Sequence, residues 1–304
     1  MKLIYEGVEI NLKILECKIT DNIGDKADSI IISFADSELK YRQWNFKKND
    51  CIEIIEGLFS TGKMYIDDFG CSNGKYTIKA LSIKKKTKTK NTRAWENVRF
   101  LDLAKDLVKE EGLNLKTYGI ENYIYERVDK DKRNNIDFLN FRCMLEGYNL
   151  KISNNEALII SETFLEEQIE EIIICKEDMI NKYDFKTTSN NIISGCEIIY
   201  NSDFLVKGRY INRKFNGEIL KINDIQTYNI VEANRFSKNI FKKYNKYETI
   251  GKFTIKKNTN ISAGNTIKIL DLELFNGKYI IEKVIHDLVN NQSKINVRKV
   301  NGYE

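Results

Sequence analysis

Proline is missing altogether from this chain of 304 residues, where average usage of about 5% would place roughly fifteen. Lys, Asn and Ile are abundant beside it, so the gap reflects a compositional bias of the coding sequence and carries little functional meaning. Histidine is nearly missing too. With His286 as the sole imidazole, little is left to complete a zinc site, and any Cys/His or Ser/His nucleophilic pair must be built on that one residue. Six cysteines (Cys17, Cys51, Cys71, Cys143, Cys175, Cys196) lie far apart with no C-x-x-C pair. They read as reduced, buried small side chains rather than bridges. No apolar run approaches the roughly 20 residues of a membrane-spanning helix; Ile172-Ile173-Ile174 is broken by charge within a few residues. The opening Met1-Lys2-Leu3-Ile4-Tyr5-Glu6 has neither an apolar core nor a small-residue cleavage site, so no classical signal peptide is expected. Strings of the type G-x-S-x-G, G-x-x-x-x-G-K-[ST] and H-E-x-x-H are also absent.

What is present describes a folded chain. Hydrophobic residues are 42% and aromatics 11%, too many for a disordered segment, while 31% charged residues are too many for a membrane protein. The length fits about two domains and buries enough surface to need no disulfide or metal staple. Lys plus Arg number 49 against 44 Asp plus Glu, for a net charge of +5. That balance falls short of the strongly basic footprint of a nucleic-acid-binding domain. The one dense basic run, Lys84-Lys85-Lys86-Thr87-Lys88-Thr89-Lys90, reads as a solvated linker.

Hydrophobic periodicity divides the chain into three. Val8 to Ile19 alternates, and short runs at Ser29–Phe34, Cys51–Ile55, Gly62–Phe69 and Lys75–Ile83 follow between Gly, Asn and Asp turns, the pattern of antiparallel strands in a sandwich or barrel. Residues 1–88 are therefore expected to form a first β-barrel. The period then changes. Trp95 to Gly112 carries Val98, Leu101, Ala104, Leu107 and Val108 at helical spacing, and Asn134 to Gly147 repeats the pattern, with Asn135 as a candidate cap. Tyr148–Ile152 and Ala157–Ile160 read as a hairpin over Ser153-Asn154-Asn155. These elements suggest a small α+β domain over 89–182. Residues 183–304 return to strands at Cys196–Tyr200, Val206–Ile211, Glu218–Ile222, Lys252–Ile255, Thr266–Leu270, Lys278–Ile285 and Lys294–Val300, with one helix over Val231–Tyr247. The expected fold is thus α+β and mostly β, two tube-like antiparallel barrels flanking an α+β insert. The first barrel is open to being discontinuous, completed by a strand from beyond the insert.

The two β regions resemble each other. Asn49-Asp50-Cys51-Ile52-Glu53-Ile54 matches Gly264-Asn265-Thr266-Ile267-Lys268-Ile269, and at equal spacing Gly62-Lys63-Met64-Tyr65-Ile66 matches Gly277-Lys278-Tyr279-Ile280-Ile281. Each copy ends in a further strand, Lys75–Lys79 or Lys294–Arg298. This implies one β-unit used twice. Two similar units per subunit let a threefold ring present a nearly sixfold face.

An ordered set of residues carries a family resemblance. Trp44 precedes Asn49–Ile54, Gly62-Lys63-Met64-Tyr65-Ile66-Asp67 returns, and Lys79-Ala80-Leu81-Ser82 closes the first unit. Arg93-Ala94-Trp95-Glu96 leads to a helix, and Asn135-Ile136-Asp137-Phe138-Leu139 opens another that ends in Glu146-Gly147-Tyr148. Late in the chain come Ala263-Gly264-Asn265 and Phe275-Asn276-Gly277-Lys278-Tyr279-Ile280-Ile281, leading to His286. In this order they resemble the late-control-D, or tail-hub, family of contractile phage tails and phage-tail-like bacteriocins. The resemblance implies a structural, non-enzymatic baseplate hub without cofactor. It further implies a homotrimer whose ring meets the hexameric tail tube on one face and the trimeric central spike on the other. Other baseplate proteins and a tape measure protein are implied partners, with nucleic acid and membrane not among them. The implied destination is a virion or tail-like particle, assembled from protein made in the bacterial cytoplasm and released from the cell. Composition departs most from the family between Phe164 and Ile193.

Two other functions stay open at this level. A peptidoglycan-cleaving role needs two acids at a defined separation across a cleft, for which Asp67-Asp68 and Glu166-Glu167 with Glu170-Glu171 are the candidates, although such a run also suits a solvated face. A nucleic-acid-binding barrel would stack bases on aromatics beside cations, as Tyr210 beside Arg209 and Arg213 would allow. His286, next to Val284 and Ile285, reads as a packed or hydrogen-bonded strand residue. No catalytic, cofactor-binding or metal-ligating residue is assigned.

Overall fold

The chain starts as a hairpin turned at Glu6-Gly7, both at positive φ, between β1 (Lys2–Tyr5) and β2 (Val8–Ile10). In this computed structural model, residues 1–24, 26–36, 46–84, 90–170, 172–190, 192–201 and 204–302 are described. Trp44, the centre of the basic run (85–89) and Glu171 lie outside them. Strands β3 (Ile14–Asn22), β4 (Ser29–Ala35), β5 (Cys51–Glu56), β6 (Phe59–Ser60), β7 (Met64–Ser72) and β8 (Lys75–Leu81) complete the first stretch. The expected continuous strand from Val8 to Ile19 is split into β2 and β3.

The middle of the chain holds β9 (Asn91–Arg99), α1 (Phe100–Glu110), β10 (Asn114–Tyr118), β11 (Ile124–Arg133), α2 (Asn135–Glu146), β12 (Tyr148–Ser153), β13 (Glu156–Ser161) and α3 (Glu162–Glu167). After it come β14 (Ile172–Ile174), β15 (Asp184–Thr187), β16 (Gly195–Asn201), β17 (Leu205–Ile211), β18 (Ile219–Ile222) and α4 (Ile230–Asn245). The chain closes with β19 (Thr249–Lys256), β20 (Thr266–Ile269), β21 (Gly277–Asp287) and β22 (Gln292–Lys299).

Helix ends follow local chemistry. α2 is capped by Asn134, whose side chain accepts from the Asp137 amide at 2.7 Å, and it stops at Gly147 in the left-handed region (φ 75°). The cap is thus one residue earlier than expected. Asn135 is the first helical residue, and its buried amide bonds Lys130, Glu110 and Glu111. α1 begins at Phe100 rather than Trp95, because Trp95 and its neighbours form a ribbon with β11, Trp95 opposite Val128. Lacking a side-chain cap of its own, α1 receives one from Asn122, which accepts from the Leu101 amide at 2.9 Å.

One large sheet organises both β regions. Its strands run β15-β19-β22-β21-β3-β4-β8-β7-β5-β1-β2, with β20 added to β21, β14 to β20 and β6 to β5. The class is α+β and mostly β, as expected. The tube-like barrels are corrected: among the described residues the sheets are not closed into barrels, and the pairing runs as an open path. Of three smaller sheets, β10-β13-β12 and β11-β9 belong to the middle block, and β17-β16-β18 comes from the later part of the chain.

The buried apolar residues of the described chain gather in four clusters. One cluster holds Leu3, Ile30, Ile32, Phe34, Ile54 and Ile78, and a residue from far along the chain, Leu288. A second gathers Ile174, Phe253, Ile267, Tyr279, Ile281 and Ile295. The largest joins Phe100, Leu107 and Leu139 of the middle block to Cys196, Ile198, Phe236 and Phe241, so β16 and α4 pack on the α+β block. Gly208 is required there: a Cβ would stand 2.3 Å from the Ala233 carbonyl carbon, where β17 lies against α4. Cys17, Cys143 and Cys196 are buried in these cores, whereas Cys71 is exposed.

Candidate functional site

Two of the residues considered for catalysis, His286 and Glu166, are held by hydrogen bonds and ion pairs. His286 is 1% exposed. Its Nε2 lies 3.1 Å from the Ile261 carbonyl, which can only accept, so Nε2 carries the proton. Nδ1 then accepts from the Ser293 hydroxyl at 2.9 Å. Both ring nitrogens are occupied, Phe59 packs edge-on at 5.8 Å, and burial holds the imidazole below its usual pKa. His286 is thus a packed, hydrogen-bonded strand residue, in keeping with its place beside Val284 and Ile285.

The described acids of the two pairs lie on different elements, Asp67 and Asp68 on β7 and Glu166 and Glu167 on α3. Asp67 sits at the irregularity between Ile66 and Asp68 in the β7–β8 pairing, and Asp68 is exposed. Glu167 is exposed, but Glu166 turns to a buried guanidinium. Arg298, 0% exposed, donates Nε to Glu282 at 2.7 Å, Nη1 to Glu166 at 2.8 Å and Nη2 to Glu162 at 2.5 Å. Lys246 takes the other oxygen of Glu162 at 2.5 Å. Burial works against ionisation of Glu162, yet Lys246 and Arg298 outweigh it and bring its pKa down to about 2. This network ties α3 and the end of α4 to β21 and β22. Sequence reasoning missed it, because Arg298 follows Val297 in a strand that reads as alternating in and out.

A second charged seam joins the first β region to the β12–β13 hairpin. Lys151 is paired with Asp21, whose other oxygen accepts from the Ala263 amide at 2.8 Å. Asp28, 3.9 Å from Lys151, accepts from the Asn22 amide at 2.8 Å, and burial raises its pKa to about 7. Within the middle block, Arg142 is sandwiched 4.4 Å from the Tyr125 ring and 5.2 Å from Phe236. Arg235 clamps Glu146 at 2.7 Å. Tyr210, the candidate base-stacking residue, faces Phe241 at 5.1 Å, and Arg209 lies 3.7 Å from Glu197. The aromatic is thus committed to α4.

The duplicated β-unit is the feature with wider reach. In the first copy Cys51 pairs with Tyr65 and Ile52 with Met64; in the second, Thr266 pairs with Ile280 and Ile267 with Tyr279. The turn bonds repeat as well. Ile66 N–H donates to Asp50 (2.9 Å) and Asn49 N–H to Ile66 (2.8 Å). Ile281 N–H donates to Asn265 (3.0 Å) and Gly264 N–H to Ile281 (2.8 Å). Asn49 and Gly264 both have positive φ, 70° and 97°. The β-bulge falls at the same place in each, between Ile66 and Asp68 and between Ile281 and Lys283. A bulge re-aims a strand and pins its register, so its recurrence with matched turns marks one architectural unit used twice. The two copies are joined edge to edge: β21 pairs antiparallel with β3, from Lys283 opposite Asn22 to Asp287 opposite Lys18.

No protein-family model matches this chain, and no curated protein matches it. Among solved structures, it is similar over 98% of its length to 98% of a 43 kDa tail protein of prophage MuSo2 from Shewanella oneidensis, at 11% identity and a TM-score of 0.74. A tail protein from Neisseria meningitidis is similar over 98% of this chain and 95% of its own, at 11% identity and a TM-score of 0.77. The third is an Escherichia coli protein described as a type VI secretion component with structural similarity to the T4 tail proteins gp27 and gp5. It matches all of this chain and 78% of its own, at 10% identity and a TM-score of 0.66. The chain therefore has the fold of these phage tail and type VI secretion proteins.

Proposed function

We propose that this chain is a structural, non-catalytic part of a contractile tail or tail-like particle: a baseplate hub that forms a homotrimeric ring between the hexameric tail tube and the trimeric central spike. The observation that carries this reading is the duplicated unit, with its matched turns, register and bulge. Three subunits with two units each offer six near-equivalent units, which matches a sixfold partner on one side and a threefold partner on the other. The likeness to tail proteins along nearly the whole chain supports a tail particle, and the likeness to a type VI secretion component supports a place near a spike. In this reading the two β-units build the ring, and the α+β block rides between them. Other baseplate proteins and a tape measure protein contact the assembled ring, and the particle leaves the cell that made it. The test is native mass spectrometry with negative-stain imaging of the full chain, alone and mixed with the spike protein. A trimer with threefold symmetry and a central opening is the expected result. A chain that stays monomeric in both samples overturns the reading.

A further inference from the structure

The internal junction between the two units supplies a template for a contact between copies. β21 uses one edge for β22 and the other, over Lys283–Asp287, for β3 of the first unit. Its counterpart in the first unit is β7, where Asp68–Ser72 match Lys283–Asp287 through the shared bulge. Those five residues pair with β8 on one side. Among the described residues nothing pairs with the other side, and all five are exposed. Phe69 is 36% exposed, with an accessible groove beside it along Gly70, Cys71 and Ser72.

The complementary edge is equally well defined. In the first unit β3 flanks β4, with Lys18 opposite Ile31, Ile19 opposite Ile30 and Thr20 opposite Ser29. In the second, β15 flanks β19 in the same way, with Asp184 opposite Lys252, Phe185 opposite Gly251 and Lys186 opposite Ile250. β15 is thus the counterpart of β3. Whereas β3 is covered by β21, β15 ends the sheet path with one side unpaired among the described residues.

We infer that β15 of one copy pairs antiparallel with the Asp68–Ser72 edge of β7 in a second copy of this chain, repeating between subunits the β3–β21 contact found within one. The inference rests on the ring reading above and gives it an interface and a register. Carrying the internal register across sets Phe69 opposite Thr187, Gly70 opposite Lys186, Cys71 opposite Phe185 and Ser72 opposite Asp184. The contact is head-to-tail, each copy giving one β15 edge and one β7 edge, so it propagates until the rotation closes a ring. It also covers two edges that would otherwise offer unpaired amides and carbonyls to any strand.

Gly70 and Lys186 make the test. A Cβ on Gly70 meets nothing within 4 Å and its φ is ordinary, and Lys186 is exposed. Phe185 is avoided because its ring packs on Phe253 and Tyr279. Directly opposed residues of antiparallel strands stand about 4.5–5.5 Å apart at Cα, within disulfide reach. The full-length chain carrying Cys71→Ser, Gly70→Cys and Lys186→Cys is oxidised, then read by non-reducing electrophoresis and native mass. Covalent species up to a closed trimer are expected. The chain with Cys71→Ser, Gly70→Cys and Lys252→Cys, one strand out of place, should give none. As a measurement free of substitutions, amide exchange at 68–72 and 184–187 of the unmodified protein should slow about tenfold or more on assembly. Trimers without the cross-link and without protection of these segments overturn the edge assignment and leave the ring standing. A chain that never leaves the monomer overturns both.

Discussion

Replacing Arg298 by Met removes the cation at the centre of the seam and keeps most of its volume. The guanidinium is fully buried and its three nitrogens each serve a different carboxylate, Glu282, Glu166 and Glu162. Without it, three carboxylates remain with Lys246 as the nearby cation bonded to Glu162. Stripping one partner from a buried ion cluster costs about 3–5 kcal/mol, and for a chain this long about 4 kcal/mol corresponds to a fall of roughly 6 °C in Tm. The pH dependence identifies the cause. In the intact protein Glu162 titrates near 2 instead of its ordinary 4.5. Its contribution of about 3 kcal/mol is complete above the unfolded value and is lost as pH falls through the folded one. In the Arg298→Met chain Glu162 loses one of the two cations that hold its pKa down, so it protonates more readily and lowering the pH relieves it. Urea unfolding followed by far-ultraviolet circular dichroism, at one protein concentration and at pH 7 and pH 3, measures both slopes. The deficit should shrink to less than half at pH 3. A deficit below about 1 kcal/mol at pH 7, or one equal at both pH values, refutes the electrostatic argument.

Two further outcomes follow from groups described above. His286 is held neutral by burial, with its pKa lowered, so its contribution is present above about 6.5 and declines as pH falls toward the folded value; His286→Gln should flatten the urea midpoint against pH in that range, and an unchanged profile would count against a titrating His286. Gly208→Ala forces β17 off α4, since the added carbon meets Ala233 at 2.3 Å; a loss of about 1–3 kcal/mol is expected, read as a lower midpoint in thermal unfolding.

The hairpins and the duplication were legible because both rest on local signals. Period-2 alternation named β5, β8, β20 and β22, and the Gly62-Lys63 and Gly277-Lys278 turns gave the repeat its spacing. The ribbon β9–β11 was not legible. Of Asn91–Arg99 only Trp95 is buried, so there is no alternation to detect, and Val98 happens to fall in helical register with Leu101. Short β14 and β15 lie in the stretch where composition is most biased, and among the described residues each has one pairing partner within the sheet. The packing of 195–245 on the middle block is tertiary: nothing along β16 or α4 names Phe100 or Leu139 as a neighbour. The acids fared similarly. Glu166 and Glu167 read alike in sequence, and only the fold brings Arg298 from 132 residues away to one of them.

The two units differ at one strand, and that difference ties the inserted block into the sheet. In the first unit Ile54 of β5 is flanked by Leu3 of β1, antiparallel. In the second, the matching Ile269 of β20 is flanked by Ile174 of β14, parallel. The same apolar site at the sheet edge is therefore filled by strands of opposite direction, so side-chain burial sets the position and chain direction follows from connectivity. β1 lies before the tight Glu6-Gly7 turn and is paired on its other side with β2. β14 arrives from the α+β block just after α3, and a parallel neighbour suits that long crossover. α3 carries Glu162 and Glu166, both bonded to Arg298, so the segment that delivers β14 is also the one held by the buried network. The second unit is thus completed by strand pairing and ion pairing from one short stretch, 162–174. Loosening the Arg298 network should weaken the hold on β14 before it touches the first unit, whose matching edge is closed by its own β1. In the Arg298→Met chain, amide exchange should therefore rise at Ile172–Ile174 and stay unchanged at Leu3–Tyr5.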